Sequence, residues 1–281
     1  MPPASSSRAS SPDIEALEER ARSVRLNVLR AASGKGEGYV GQALGCADML
    51  TACYFHAMSY DPDDPEWTDR DRFILSTGHY ALVLYATLAE VGVLEDDQLD
   101  TYGADESPLT MTTEESTPGV ELTSGSLGQG LSNAVGMALG AGLRNEPFRV
   151  FNFLSDGELQ EGATWEAAMS AAHFGLGNLT ALVDNNRVQA DGHTAEIMNV
   201  EPIEEKWESF GWRAHRIDGN DMSALVEALD ASLADPDRPH VLVCDTVMGS
   251  GVPFIEQREK GHFVRVEEDE WQNAVDELRR A

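Results

Sequence analysis

The chain has 281 residues, 42% hydrophobic and 25% charged, with a formal net charge of −29. That length supports one sizeable α/β domain or two small ones, and no run of about 18 apolar residues is present to span a membrane. Acidic residues outnumber basic ones 49 to 20, which argues against nucleic acid as a partner, because phosphate backbones demand clustered Lys and Arg.

In chain order, the N-terminal MPPASSSRASSPD is rich in Ser and Pro and has no apolar core of signal-peptide type. Residues 1–12 read as a disordered tail, residues 13–281 as a single domain, and the chain as cytoplasmic. Residues 13–32 show a helical period, with Asp13 placed to cap the N-terminus. A glycine-rich loop follows at 33–42, then a largely apolar helix at 45–57. RFILS reads as a strand ending in Thr77-Gly78-His79, and a helix runs from Tyr80 to about Gly92. Residues 102–125 are polar and aperiodic, the mark of a functional or disordered loop. Residues 125–144 form a Gly/Ala-rich helix. Strands at 149–154, 179–184, 212–217 and 240–247 then alternate with helices at 163–175, 221–234 and 267–279, with a loop after residue 184. Such alternation predicts an α/β fold: a mostly parallel sheet, helices on both faces, and ligands at the carboxyl ends of the strands. Cys46, Cys53 and Cys244 fit no zinc spacing and read as buried free thiols.

Three strand ends are candidate site edges: Ser76–His79, Ser155-Asp156-Gly157 and Asp184-Asn185-Asn186. If the strands at 149–154 and 179–184 are close neighbours, Asp156 and Asn186 converge. A carboxylate, a carboxamide and a backbone carbonyl are hard oxygen ligands suited to Mg²⁺ or Ca²⁺ holding a phosphate. A metal would also replace lysines as the phosphate anchor, since only Lys35, Lys206 and Lys260 occur. Taken singly, Asp156 and Asn185-Asn186 also read as ordinary turn or cap residues.

The segment SDGELQEGATWEAAMSAAHFGLGNLTALVDNNRVQADG resembles the thiamine-diphosphate signature of transketolases. PGVELTSGSLGQGLSNAVGMALG, DRDRFILSTGHYALVLYATLAEVG and TVMGSGVPFIEQREKGHF resemble three further blocks of that family, the last in degraded form. The likeness runs from about Arg25 to the end. It covers the diphosphate-binding domain alone, as in the N-terminal subunit of a split transketolase. The resemblance implies thiamine diphosphate and Mg²⁺ as cofactors. It also implies transfer of a two-carbon ketol unit from a ketose or 2-oxo donor to an aldehyde. It further implies a partner, a C-terminal transketolase-like subunit that supplies the pyrimidine-binding domain and the activating glutamate, in an α2β2 assembly.

By the same resemblance, Asp156, the Asn186 side chain and the Val188 carbonyl would hold Mg²⁺. Gly157 would contact the diphosphate through its backbone. Gly125 and Leu127 would contact the cofactor rings, and His79 and His262 would stand near the diphosphate and the reacting carbons. Glu161 would lie at the interface between active sites, or serve as a first-turn helix acid. Departures fall on the substrate side. Tyr39 and Met111 (or Thr112) occupy positions where the family carries histidines, and Met248 replaces a lysine; this reads either as altered substrates or as a divergent loop in which Tyr39 does a similar hydrogen-bonding job. Two other readings stay open. One is the diphosphate-binding subunit of a 2-oxo acid decarboxylase or dehydrogenase. The other is a non-catalytic scaffold descendant.

Overall fold

A computed structural model of the chain describes residues 12–258 and 261–280. The tail expected over residues 1–12 thus lies, Pro12 apart, outside the described residues. Five strands form the central sheet: β1 (Arg72–Leu75), β2 (Val150–Ser155), β3 (Leu179–Asn185), β4 (Arg213–Asp218) and β5 (His240–Asp245). All neighbours pair in parallel, in the order β1-β2-β3-β5-β4. Every residue of β2 and β3 is buried, as near-continuous apolar runs require in a sheet covered on both faces. β4, RAHRID, is polar and part-exposed, which suits its place at the edge.

Alternate strand residues feed two separate cores. Phe73, Phe151, Phe153 and Leu242 pack on one face with helix α1 (Ile14–Lys35), helix α2 (Ala81–Val91), helix α6 (Met222–Ala234) and helix α7 (Glu268–Arg280). Ile74, Leu154, Val183 and Val241 pack on the other with helix α3 (Gly130–Arg144), helix α4 (Gly162–His173) and helix α5 (Ile203–Ser209). The result is the three-layer α/β fold expected from the sequence. Among the described residues no helix is long and apolar enough to cross a membrane. The three cysteines are free and buried.

Asp13 caps α1 as expected, its carboxylate accepting from the Ala16 N–H at 3.1 Å. The glycine-rich segment 33–42 differs from the expected loop. α1 continues to Lys35, residues 37–38 pair antiparallel with 264–265, and 40–45 is helical. The reason is burial: Val40, Ala43 and Leu44 are fully enclosed. Gly41 and Gly45 let this turn press onto Met248 and the Val247 backbone, where an added Cβ would stand 2.7 and 2.8 Å away. The segment after β3 also differs. It holds a hairpin at 188–193 and helices at 194–197 and 203–209. Ile203 and Trp207, four apart, are buried there, a signal too short to read as periodic.

Candidate active site

Because β1, β2 and β3 are adjacent and parallel, their carboxyl ends deliver Ser76–His79, Asp156 and Asn186 to one edge. The β2–β3 register sets Ser155 opposite Asp184. The Asp156 N–H donates to the Asp184 carbonyl at 2.9 Å, and the Arg187 N–H donates to Asp156 Oδ2 at 2.8 Å. Arg187 adopts φ 65°, a left-handed turn that folds the loop after β3 back over Asp156. Asn186 and Val188 flank that contact, and the Val188 N–H donates to Asn186 Oδ1 at 2.9 Å.

Asp156 is fully buried. Its other donors are the Gly157 N–H at 2.7 Å and, at longer range, the Thr194 hydroxyl. The Gly157 N–H expected to face a diphosphate is thus engaged by Asp156 Oδ1. Beside it, Asp184 accepts from the Tyr80 hydroxyl at 2.9 Å, the Asn186 amide at 2.6 Å and the Thr246 hydroxyl. Every one of these donors is neutral. Burial first, then the Asp184 charge, raises the Asp156 pKa to about 7, and burial also raises Asp184. Two buried carboxylates without a cationic partner lack positive charge, and a divalent cation on the Asp156 side would supply it. Among the described residues, no group of three or more His, Cys, Asp or Glu side chains could hold a metal. The candidate donors here are instead one carboxylate, one carboxamide oxygen and a backbone carbonyl. This oxygen set fits Mg²⁺ or Ca²⁺.

His79, on the turn after β1, packs its ring against Tyr80, whose hydroxyl bonds Asp184. Its Nε2 is buried without a hydrogen-bond partner. Burial, and secondarily His262, lowers its pKa to about 3, so the ring is neutral at physiological pH. Burial also lowers the His262 pKa. Gln42 Nε2 donates to the His262 carbonyl at 2.6 Å and lies 3.0 Å from its Nδ1. The carbonyl fixes the amide orientation, so Nδ1 is an acceptor and the His262 proton sits on Nε2. The two imidazole centroids are 5.4 Å apart.

Tyr39 joins them, 4.6 Å from the His79 ring, 5.5 Å from His262 and 5.1 Å from Phe263. Tyr39, His262 and Phe263 line a cavity of about 530 Å³ together with residues 188–192 of the hairpin. The structure therefore unites Tyr39, His79 and His262, and sets Val188 on the same cavity as Tyr39 and His262. Met111 is part-buried against the apolar core, beside Gly103 and away from this cavity. Gly125 is exposed and Leu127 part-exposed, on the loop that precedes α3. Glu161 is exposed at the start of α4 and makes no side-chain cap.

Sequence reasoning missed Tyr80, Gln42 and Glu158, and it named Asp184 at a candidate strand end without giving it a role. The signal for Asp184 was a lone carboxylate at the end of the apolar run LTALVDN. Tyr80 and Gln42 carried no local signal, because their partners lie 104 and 220 residues away in the chain.

Residues 17–279 match the family described as the transketolase thiamine diphosphate binding domain. A transketolase family protein of Sinorhizobium fredii is 52% identical over 92% of this chain and 94% of its own length. The 6-deoxy-6-sulfo-D-fructose transketolase subunit of a Clostridium species is 38% identical over 93% and 96%. Among solved structures, the transketolase of Leishmania mexicana superposes with a TM-score of 0.86 at 30% identity. This chain covers 41% of that protein, which in turn matches 94% of this chain. The sheet, the two cores and the strand-end loops are thus those of a known architecture, and the chain belongs to the transketolase family, as its thiamine-diphosphate-binding domain.

Proposed function

We propose that the chain is the diphosphate-binding subunit of a transketolase-type enzyme. It acts with thiamine diphosphate and Mg²⁺, in an α2β2 assembly with a pyrimidine-domain subunit. The reaction is transfer of a two-carbon ketol unit from a ketose or 2-oxo donor to an aldehyde. The observation that carries this reading is the buried, uncompensated Asp156 at the end of β2, closed over by the Asn186–Val188 loop. Relatives of nearly the same length are named as transketolase subunits, one for 6-deoxy-6-sulfo-D-fructose and one for apulose 4-phosphate. Those names favour a partner-dependent enzyme and a donor outside the common sugar phosphates.

Asp156, Asn186 Oδ1 and the Val188 carbonyl would hold the metal. When bound, the cofactor supplies a nucleophilic carbon and an electron sink for the bond that breaks. The chain's own residues do the rest. The metal loop orients the diphosphate. Gly157 would exchange its Asp156 contact for the diphosphate, while Gly125 and Leu127 face the cofactor rings. His79 is neutral, with a free buried Nε2, and is open to a hydrogen bond with a substrate group. His262 offers a donor at Nε2, its tautomer held by Gln42. The pair can therefore bind substrate hydroxyl and carbonyl oxygens through hydrogen bonds from neutral imidazoles. Tyr39 puts an aromatic face where an imidazole would otherwise bond a hydroxyl, favouring a donor with fewer hydroxyls near the reacting carbon. Glu161 would face the second active site across the assembly.

The test is to co-purify the chain with its partner subunit and add thiamine diphosphate and Mg²⁺. Ketose, 2-oxo acid and aldehyde pairs are then screened by mass spectrometry for a product two carbons longer than the aldehyde. Asp156→Ala should abolish Mg²⁺-dependent cofactor binding. An assembled complex that binds no cofactor refutes the proposal.

A further inference from the structure

Glu158 is a fully buried carboxylate that meets no cation among the described residues. Its Oε1 accepts from the Ser76 hydroxyl and from the Gly128 N–H at 2.7 Å, and its Oε2 accepts from the Thr77 hydroxyl at 2.9 Å. Ser76 Oγ in turn accepts from the Gly130 N–H at 2.9 Å. At its own end, the Glu158 carbonyl accepts from the Thr164 hydroxyl at 3.1 Å. The two loops it reaches already press together. A Cβ on Gly78 would lie 2.2 Å from the Ser124 carbonyl oxygen, and one on Gly130 would lie 2.3 Å from Ser76 Cβ. Burying a lone carboxylate is costly unless each lone pair is satisfied. Here three neutral donors from two separate loops satisfy it.

We propose that Glu158 is a positioning residue. Its carboxylate pins the 76–79 loop and the 125–130 loop to the Asp156 turn. The pin fixes where His79 and Leu127 stand relative to the metal ligands. The assignment of those two residues to the cofactor rests on the function proposed above; the pin itself rests on the hydrogen bonds. Neutral Gln can make the same set: its oxygen keeps the Ser76 and Gly128 bonds, and its NH2 donates to a reoriented Thr77 hydroxyl.

The test uses hydrogen exchange on the full-length chain and thiamine diphosphate binding, with Mg²⁺, by the chain assembled with its partner subunit. Glu158→Ala should speed exchange at Gly128 and Gly130 while β2 and β3 stay protected. It should also weaken cofactor binding on the order of ten- to a hundredfold, the scale of a small misplacement of a binding group. Glu158→Gln should restore both readouts. Thr77→Val, which preserves side-chain volume, should loosen residues 76–79 alone, and it keeps the test decisive if Glu158→Ala does not fold. Unchanged exchange in both Glu158→Ala and Thr77→Val overturns the proposal. So does a Glu158→Gln variant as impaired as Glu158→Ala, since charge rather than bonding geometry would then matter. If the wild-type assembly binds no cofactor, the proposed function fails, while exchange still decides the pin.

Discussion

Replacing Asp156 with Asn tests the buried charge at the end of β2. Burial and the neighbouring Asp184 raise its pKa from 3.8 to about 7. The unfolded chain therefore releases this proton near pH 3.8 and the folded chain only near pH 7. Between those values the folded chain binds more protons, so metal-free stability falls as pH rises. A gap of that size amounts to about 4 kcal/mol, with roughly 1.5 kcal/mol lost by pH 5 and nearly all by pH 8. Asn carries no such titration. It does set an NH2 against the Gly157 or Arg187 N–H, a cost of ~1–3 kcal/mol at every pH. The Asn variant should therefore gain about 2–3 kcal/mol on wild type between pH 5 and pH 8. Urea unfolding in the presence of a chelator, followed by circular dichroism at both pH values, measures this difference. Adding Mg²⁺ and thiamine diphosphate at pH 8 should stabilise the wild-type assembly and leave the Asn variant unmoved. A variant–wild-type difference identical at both pH values refutes the assignment of an uncompensated charge to Asp156.

Arg25 and Asp48 form a buried bidentate pair that also holds Asn220 and the Leu44 carbonyl. Arg25→Met should cost about 3–5 kcal/mol in urea unfolding by stranding the carboxylate, and Arg25→Met/Asp48→Leu should recover much of that loss. Gly130→Ala would set a methyl 2.3 Å from Ser76 Cβ; a loss of about 1–3 kcal/mol and faster exchange in the 76–79 loop are expected. Tyr39→His should shift donor preference toward polyhydroxylated ketose phosphates, by roughly tenfold or more in kcat/KM ratios for the assembled enzyme. An unchanged ratio places the specificity determinant elsewhere.

Periodicity in the sequence already placed α1, its Asp13 cap, α2, and the five strands, with ends correct to within three residues. Local physics suffices there, because a helix or a buried strand is written in neighbouring side chains. The segments at 33–45 and 186–212 resisted this reading because their helices are short and are stabilised by what they touch. Gly41 reads as loop until Met248 is known to lie against it. Glu158 carries no signal of its own in the sequence; its role emerges only with Ser76 and Gly128 around it.

The sequence by itself determined the α/β class, the choice of Asp156 and Asn186 as candidate oxygen ligands, and the family blocks that point to thiamine diphosphate. Only the tertiary structure decided that β1, β2 and β3 are neighbours, which is what brings those residues and His79 to one edge. It also separated Tyr39, which joins the histidine cluster, from Met111, which packs into the core. Strand order and the choice between pocket and core are set by contacts between residues tens to hundreds of positions apart. No local pattern encodes those contacts; they follow from which apolar faces can be buried together.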